Sequence, residues 1–374
     1  MNATPPLHFS IPPTTISPAF KRLGHETIRA TAFLVIPTEL LYFSIYFLLK
    51  RQYGMYKKLS ALSLAAFWLS GWMNPISCGP VGALRNFAVA IGTLKLLDIY
   101  ARHLSLPQLK TNPPTYKHAL LLLTEMRYES FSPKFIRVSR SQETFNEPLQ
   151  FAIHMAIFGA LQVLPQDWAL VLAFEVQLSI YMIWTGIQLL VRYKSSPALF
   201  GRLYSVESLG GFWSKTWHNV FSAPCASLAY DPLRQTLPKL GVPIPVARSA
   251  GILAAFFLMA LFHVYALKPM VTDKALFRIG MFFVLNGFAT VGETMVWGRR
   301  DGWVKMGLAW LTEMSLAGWT AAALGIPRGV HGIRTNNCGK IGTSSIFSLL
   351  SAHADADADA DIDVDINADV LNEK

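Results

Sequence analysis

Apolar residues in this chain gather in long runs rather than in the alternation of a strand or the stripe of a soluble helix. The runs lie at about 30–49, 59–74, 151–165, 168–191, 249–267, 279–297 and 303–324. About 20 apolar residues carry a helix across a bilayer's hydrocarbon core, so each run predicts a spanning helix, the shorter ones tilted or buried. A weaker run at 81–97 is interrupted by Arg85, Asn86 and Lys95. Counting it gives eight spans and places the loops at 50–58, 99–147, 192–245 and 298–302 on one side. Those loops hold about twice as many lysines and arginines as the opposite ones, and positive residues favour the cytoplasmic side. Both termini then face the lumen. The expected fold is all-α: a polytopic helical bundle of about eight transmembrane helices with a long cytoplasmic loop.

Composition supports a membrane setting. Of 374 residues 52% are hydrophobic and 15% charged, mean hydropathy is +0.34, and many of the ten tryptophans lie near the ends of the runs, where amphipathic rings favour the interface. The formal charge of +10 understates the basicity of the body, because residues 355–374 hold eight acidic side chains and one lysine. The positive charge is spread over loops with no compact aromatic-interleaved patch, which argues against nucleic acid and for topology and anionic headgroups. Residues 1–29 form a polar, Pro-rich segment (Pro5, Pro6, Pro12, Pro13, Pro18) without the apolar core of a cleavable signal, so the first span reads as an uncleaved anchor. The membrane domain is expected over 30–325. A tail follows at 326–374, acidic, low in complexity and disordered from about 354, where like charges repel and little can be buried. Cys78, Cys225 and Cys338 have neither metal nor redox spacing and read as ordinary thiols. No metal site is expected.

Chemistry enters with His263, an ionisable residue inside the uncharged stretch Ser249–Leu267. Such residues at membrane depth are costly and usually functional, and histidine exchanges protons near neutral pH. The loop before it carries Phe212, Trp213 and Trp217, close to one face of a helix, with His218 and Asn219 directly following. The spacing predicts an amphipathic helix at the membrane surface. The bland alternative is an interfacial or re-entrant segment with aromatic anchors and no chemistry.

Pro197, Phe200-Gly201, Tyr204, Ser208-Leu209, Phe212-Trp213, Trp217-His218, Ser222, Tyr230, Pro232 and Arg234, followed one loop later by His263, resemble the wax-synthase-like branch of the membrane-bound O-acyltransferases. The resemblance is carried by residues 197–267 and extends to fungal secondary-metabolite O-acetyltransferases. It implies acyl transfer from acyl-CoA to a hydroxyl. His263 would be the general base, and His218, or else Asn219, would hydrogen-bond the thioester or its oxyanion. Many relatives of this type have asparagine after the tryptophan, and His218 is ranked first here. They also have Ser-Gly before the buried histidine and Glu after it, where this chain has Met259, Ala260 and Val264. Some group other than a neighbouring carboxylate must therefore orient the imidazole.

Acyl-CoA, acetyl-CoA in the leading expectation, would be a co-substrate rather than a tightly bound cofactor. Its phosphates would meet Arg202, Lys215 and Arg234. A lipophilic hydroxylated acceptor, terpenoid or meroterpenoid, would arrive from the bilayer and be contacted by Phe212, Trp213 and Trp217. Formation of wax or sterol esters with a long acyl chain is the nearest alternative, and an integral-membrane terpene cyclase or a transporter the alternatives from other classes. The endoplasmic reticulum is the expected location. Glu39, Glu175, Glu293 and Glu313 lie in or near spans, with Glu293 and Glu313 the best candidates for substrate contact. His154, Gln177 and Asn286 read as hydrogen-bonders between helices.

Overall fold

A computed structural model describes residues 16–73, 75–104, 106, 113–126, 128, 146–165, 168–191, 199–201, 206–217, 220–298 and 302–324, with side chains from residue 21 onward. Within these residues the regular architecture is helical. Helices α1 (Ile16–Leu49), α2 (Tyr53–Met73) and α3 (Gly79–Arg102) pack together, with the short α4 (Thr115–Thr124) against α1. A second group runs from α5 (Glu147–Leu161) through α6 (Ala169–Val191) to α12 (Trp303–Ala321), α11 (Asp273–Trp297) and α10 (Ile244–Leu267). Contact between α10 and α3 joins the groups. Short helices fill the loop between α6 and α10: α7 (Leu209–Gly211), α8 (Ser222–Cys225) and α9 (Asp231–Thr236).

Local chemistry sets several boundaries. Asn146 caps α5, its side chain accepting from Leu149 N at 3.1 Å, and Thr272 caps α11, each meeting a backbone donor that the first turn leaves free. Before α10, Gly241 adopts φ 85° at the end of a 3-10 turn, a left-handed position that glycine takes without strain. Pro243 and Pro245 then lead into the helix, where proline's missing N–H does no harm.

Among the described residues, four helices are long and apolar enough to cross a membrane: Lys21–Leu49, Ala169–Leu190, Ile244–Leu267 and Asp273–Trp297. This is a multi-pass membrane protein. The four other predicted spans occupy the same bundle but fall short of that standard for physical reasons. Helix α5 has 15 residues, about 22 Å at 1.5 Å each. Helix α3 holds Arg85, Lys95, Asp98 and Arg102, α12 holds Lys305 and Glu313, and α2 holds Lys57 and Lys58 with an inward row of Ser60, Ser63 and Ser70.

Alongside an apolar core, polar groups are enclosed and large apolar ones lie on the surface. Asp98, Asn286 and Ser63 are fully enclosed, whereas Trp72, Leu190 and Trp303 are more than 80% exposed. Apolar surface this extensive fits a hydrocarbon solvent. The helices approach closely at small residues: Gly287 lies under Phe256, and Gly251 lies against the Tyr230 main chain. A Cβ on Gly251 would sit 2.9 Å from the Tyr230 carbonyl oxygen. Gly251→Ala should therefore lower stability by about 1–3 kcal/mol through overpacking, read as a lower melting temperature in detergent; an unchanged melt would contradict this packing.

Of the cysteines, Cys225 is a free thiol, which burial and nearby Asp98 push up to about 12. Cys78 is disulfide-bonded, correcting the expectation of three ordinary thiols.

Candidate active site

The loop between α6 and α10 enters the bundle. Ser208 starts α7, its Oγ accepting from Gly211 N at 2.9 Å. The chain then widens into a π-turn at Phe212–Thr216 and leaves it extended at Trp217; such turns are rare and concentrate at functional sites. The loop descends along α11. Leu209 N donates to the Glu293 carboxylate, Gly210 faces Thr290, and Trp213 Nε1 donates to Asn286 Oδ1 at 3.3 Å. Glu293 to Asn286 is seven residues, about 10 Å of descent. Gly201 N also donates to Thr216 O at 2.8 Å, tying Gly201 to the end of the π-turn.

This replaces the surface helix expected from the sequence. The helical piece is too short to lie as an independent amphipathic element, and it has apolar groups on both sides. Phe212 and Trp217 turn toward α6, whereas Trp213 turns toward Phe256, Phe282 and Phe283 on α10 and α11. The outcome is a wedge between two helical groups. Aromatic contacts run through it without a break. His154 meets Tyr181, then Phe200, Trp217, Phe212, Trp213 and Phe283, with successive ring centroids 4.3–5.9 Å apart.

His263 ends that series. Its ring stacks on Phe283 with centroids 4.3 Å apart at 23°, and meets the edges of Phe262 and Phe87. Nδ1 lies 2.8 Å from the carbonyl oxygen of Met259. A carbonyl cannot donate, so Nδ1 carries the proton in this contact and Nε2 keeps its lone pair. The orienting group that the sequence lacked as a carboxylate is thus a main-chain carbonyl one turn earlier. The residue is half-buried, so reacting groups can reach a base whose surroundings are mostly aromatic.

The other predicted site residues separate into groups. Trp213 shares Phe283 with His263, and Phe212 and Trp217 line the opposite side of the wedge. Glu293 holds the Leu209 amide and pairs with Lys305 at 3.6 Å, which makes it the anchor of the loop. Glu313 is 3% exposed on the seam between α6 and α12. Its Oε1 accepts from Gln177 at 3.5 Å, and its Oε2 has no partner among the described residues. Lys215 is exposed, and Arg234 is exposed beside Asp231, 3.9 Å away. Arg202, His218 and Asn219 lie outside the described residues. Among the described residues, no group of three or more His, Cys, Asp or Glu side chains could hold a metal.

Sequence reasoning missed a polar knot beside this site. Fully buried Asp98 accepts from Arg102 Nε at 2.7 Å, from Ser227 and from Tyr128. Arg102 Nη2 reaches the Ala223 carbonyl at 2.8 Å, and Lys95 Nζ reaches the Glu125 carbonyl at 2.9 Å while lying over the Tyr128 ring. Burial and Asp98 push the Tyr128 phenol upward, keeping it a donor. The signal was present: Lys95, Asp98 and Arg102 at i, i+3 and i+7 share one helix face.

Residues 196–285, which carry the wedge and His263, match the model for the Membrane bound O-acyl transferase family. That segment relates the chain to the membrane-bound O-acyltransferases. Within that class it is similar to "Probable long-chain-alcohol O-fatty-acyltransferase 1" of Arabidopsis thaliana, 29% identical over 171 residues that cover 44% of this chain and 49% of the relative. It is also similar to "Probable long-chain-alcohol O-fatty-acyltransferase 9" of the same plant, 26% identical over 197 residues covering 49% and 57%. The chain thus spans about half the length of the curated relatives it matches. No solved structure matches it.

Proposed function

We propose that this chain is an acyl-CoA-dependent O-acyltransferase acting on a lipophilic alcohol, with a long-chain alcohol and a fatty acyl donor as its substrates. The observation that carries the chemistry is His263, whose Nδ1 is committed to the Met259 carbonyl, which leaves Nε2 as the ring nitrogen with a lone pair to offer. Nε2 takes the alcohol proton as the oxygen attacks the thioester carbonyl. The C–O bond forms, the C–S bond breaks, and the departing thiolate recovers that proton from the imidazolium. His218, or Asn219, stabilises the oxyanion. Arg202, Lys215 and Arg234 receive the CoA phosphates. Phe212, Trp213 and Trp217 wall the apolar path, Glu293 holds that wall, and Glu313 meets a polar group of the substrate. No tightly bound cofactor is required. The bundle carries eight spans, counting α2, α3, α5 and α12, and resides in the endoplasmic reticulum.

The names of the plant relatives support the long-chain reading rather than the acetyl transfer to a terpenoid expected from the sequence. Chain length is the deciding variable. Membranes containing the chain, given fatty alcohol and acyl-CoAs from two to eighteen carbons, should form esters mainly from the long donors, scored by mass spectrometry. Ester formation from acetyl-CoA alone, or with a terpenoid alcohol alone, would reverse that choice.

A further inference from the structure

The last turn of α10, which carries His263, has a defect built into it. Lys268 N closes the final helical hydrogen bond to Val264 O at 3.1 Å. The next would run from residue 269 to the carbonyl of Tyr265. Residue 269 is proline and has no N–H to give. A carbonyl left without a donor where the helices pack is costly.

The missing donor comes from another helix. Asn86 of α3, 6% exposed, donates from Nδ2 to Tyr265 O at 3.0 Å. Its own Oδ1 accepts from Arg85 Nη2 at 3.1 Å, which fixes which end of the amide faces α10. Neighbouring contacts align with this bond. One turn earlier on α3, Gly82 lies so close to Pro269 that a Cβ there would be 2.9 Å from the proline Cβ. One residue later, Phe87 packs against Phe262 and presents itself edge-on to His263. Gly82, Asn86 and Phe87 therefore seat α3 on Pro269, Tyr265 and the His263 turn in register.

We infer that Asn86 is a positioning residue for His263: it supplies the donor that Pro269 withholds and thereby ties the turn carrying the base to α3. The catalytic consequence rests on the acyltransferase reading, whereas the hydrogen bond itself does not. The polar residue that weakened 81–97 as a span is the one that completes α10.

Proline supplies a specific test. In the full-length protein, Asn86→Ala should lower kcat by about tenfold or more, since small misplacements of reacting groups carry effects up to about 10²-fold. KM for acyl-CoA should remain within about twofold. Adding Pro269→Ala restores a backbone N–H at the position that faces Tyr265 O, and the double variant should recover most of the lost kcat. The same pair is read by melting in detergent, where Asn86→Ala lowers the transition and Pro269→Ala in that background raises it again. Wild-type kcat in Asn86→Ala, or no recovery in the double variant by either measure, overturns the inference. If wild-type protein forms no ester from any donor while the melting recovery is seen, the acyltransferase reading fails and the bond between α3 and α10 stands.

Discussion

His263→Ala should reduce ester formation by about 10²- to 10⁴-fold, the range associated with loss of a positioned general base, while membrane abundance and melting stay near wild type. The two outcomes separate because of where the side chain sits. Its ring is held by one hydrogen bond to Met259 and by contacts with Phe283, Phe262 and Phe87, and those three phenylalanines retain partners of their own. Phe283 keeps Trp213 and Phe282, and Phe262 keeps Phe87 and Phe221. Loss of turnover with an intact protein identifies the base. Undiminished turnover would leave His263 as a packing residue and remove the ground for the proposed reaction.

Asp98→Ala should do the opposite and act on stability first. It removes the acceptor shared by Arg102, Ser227 and Tyr128 in a fully buried place. Removing one member of a buried ion pair typically costs about 3–5 kcal/mol, because the other charge remains without compensation. Ser227 and the Ala223 carbonyl bound by Arg102 lie in the chain that leads into α10, so the loss should loosen the approach to the site as well. The expected result is a large fall in melting temperature and in recovered protein, greater than for Gly251→Ala. Asp98→Asn, which keeps the shape and an acceptor oxygen, should be milder. Equal stability of Asp98→Ala and wild type would mean that the knot contributes nothing net.

How far these features could be read from the sequence depends on the distance between partners. The helical class and the placement of His263 within a spanning helix were legible, because a run of apolar residues and a lone histidine within it are local signals. The aromatic loop residues were legible as a group, but their geometry was not. Phe212 and Trp213 are neighbours in the chain, and the π-turn sends them toward different helices, which no periodic pattern encodes. Glu293 looked like a candidate for substrate contact because an intramembrane carboxylate usually is one; its engagement with Leu209 and Lys305 is a tertiary fact. Asn86 and Lys95 were visible only as blemishes in a weak span. Their partners, the Tyr265 and Glu125 carbonyls, are main-chain atoms without any residue-type signal.

The use of a backbone carbonyl to orient His263 bears on the lifetime of charge during turnover. In proteins where a carboxylate backs the imidazole, the cation formed on proton uptake has a counter-ion and is stabilised. Here the ring touches Met259 O and three phenylalanines, a dipole and three rings rather than a full negative charge. An imidazolium formed in that setting has the Phe283 face beneath it but less support than a carboxylate gives. On the proposed reaction, the proton taken from the alcohol would then pass on to sulfur with little delay, drawing attack and expulsion toward a single continuous event.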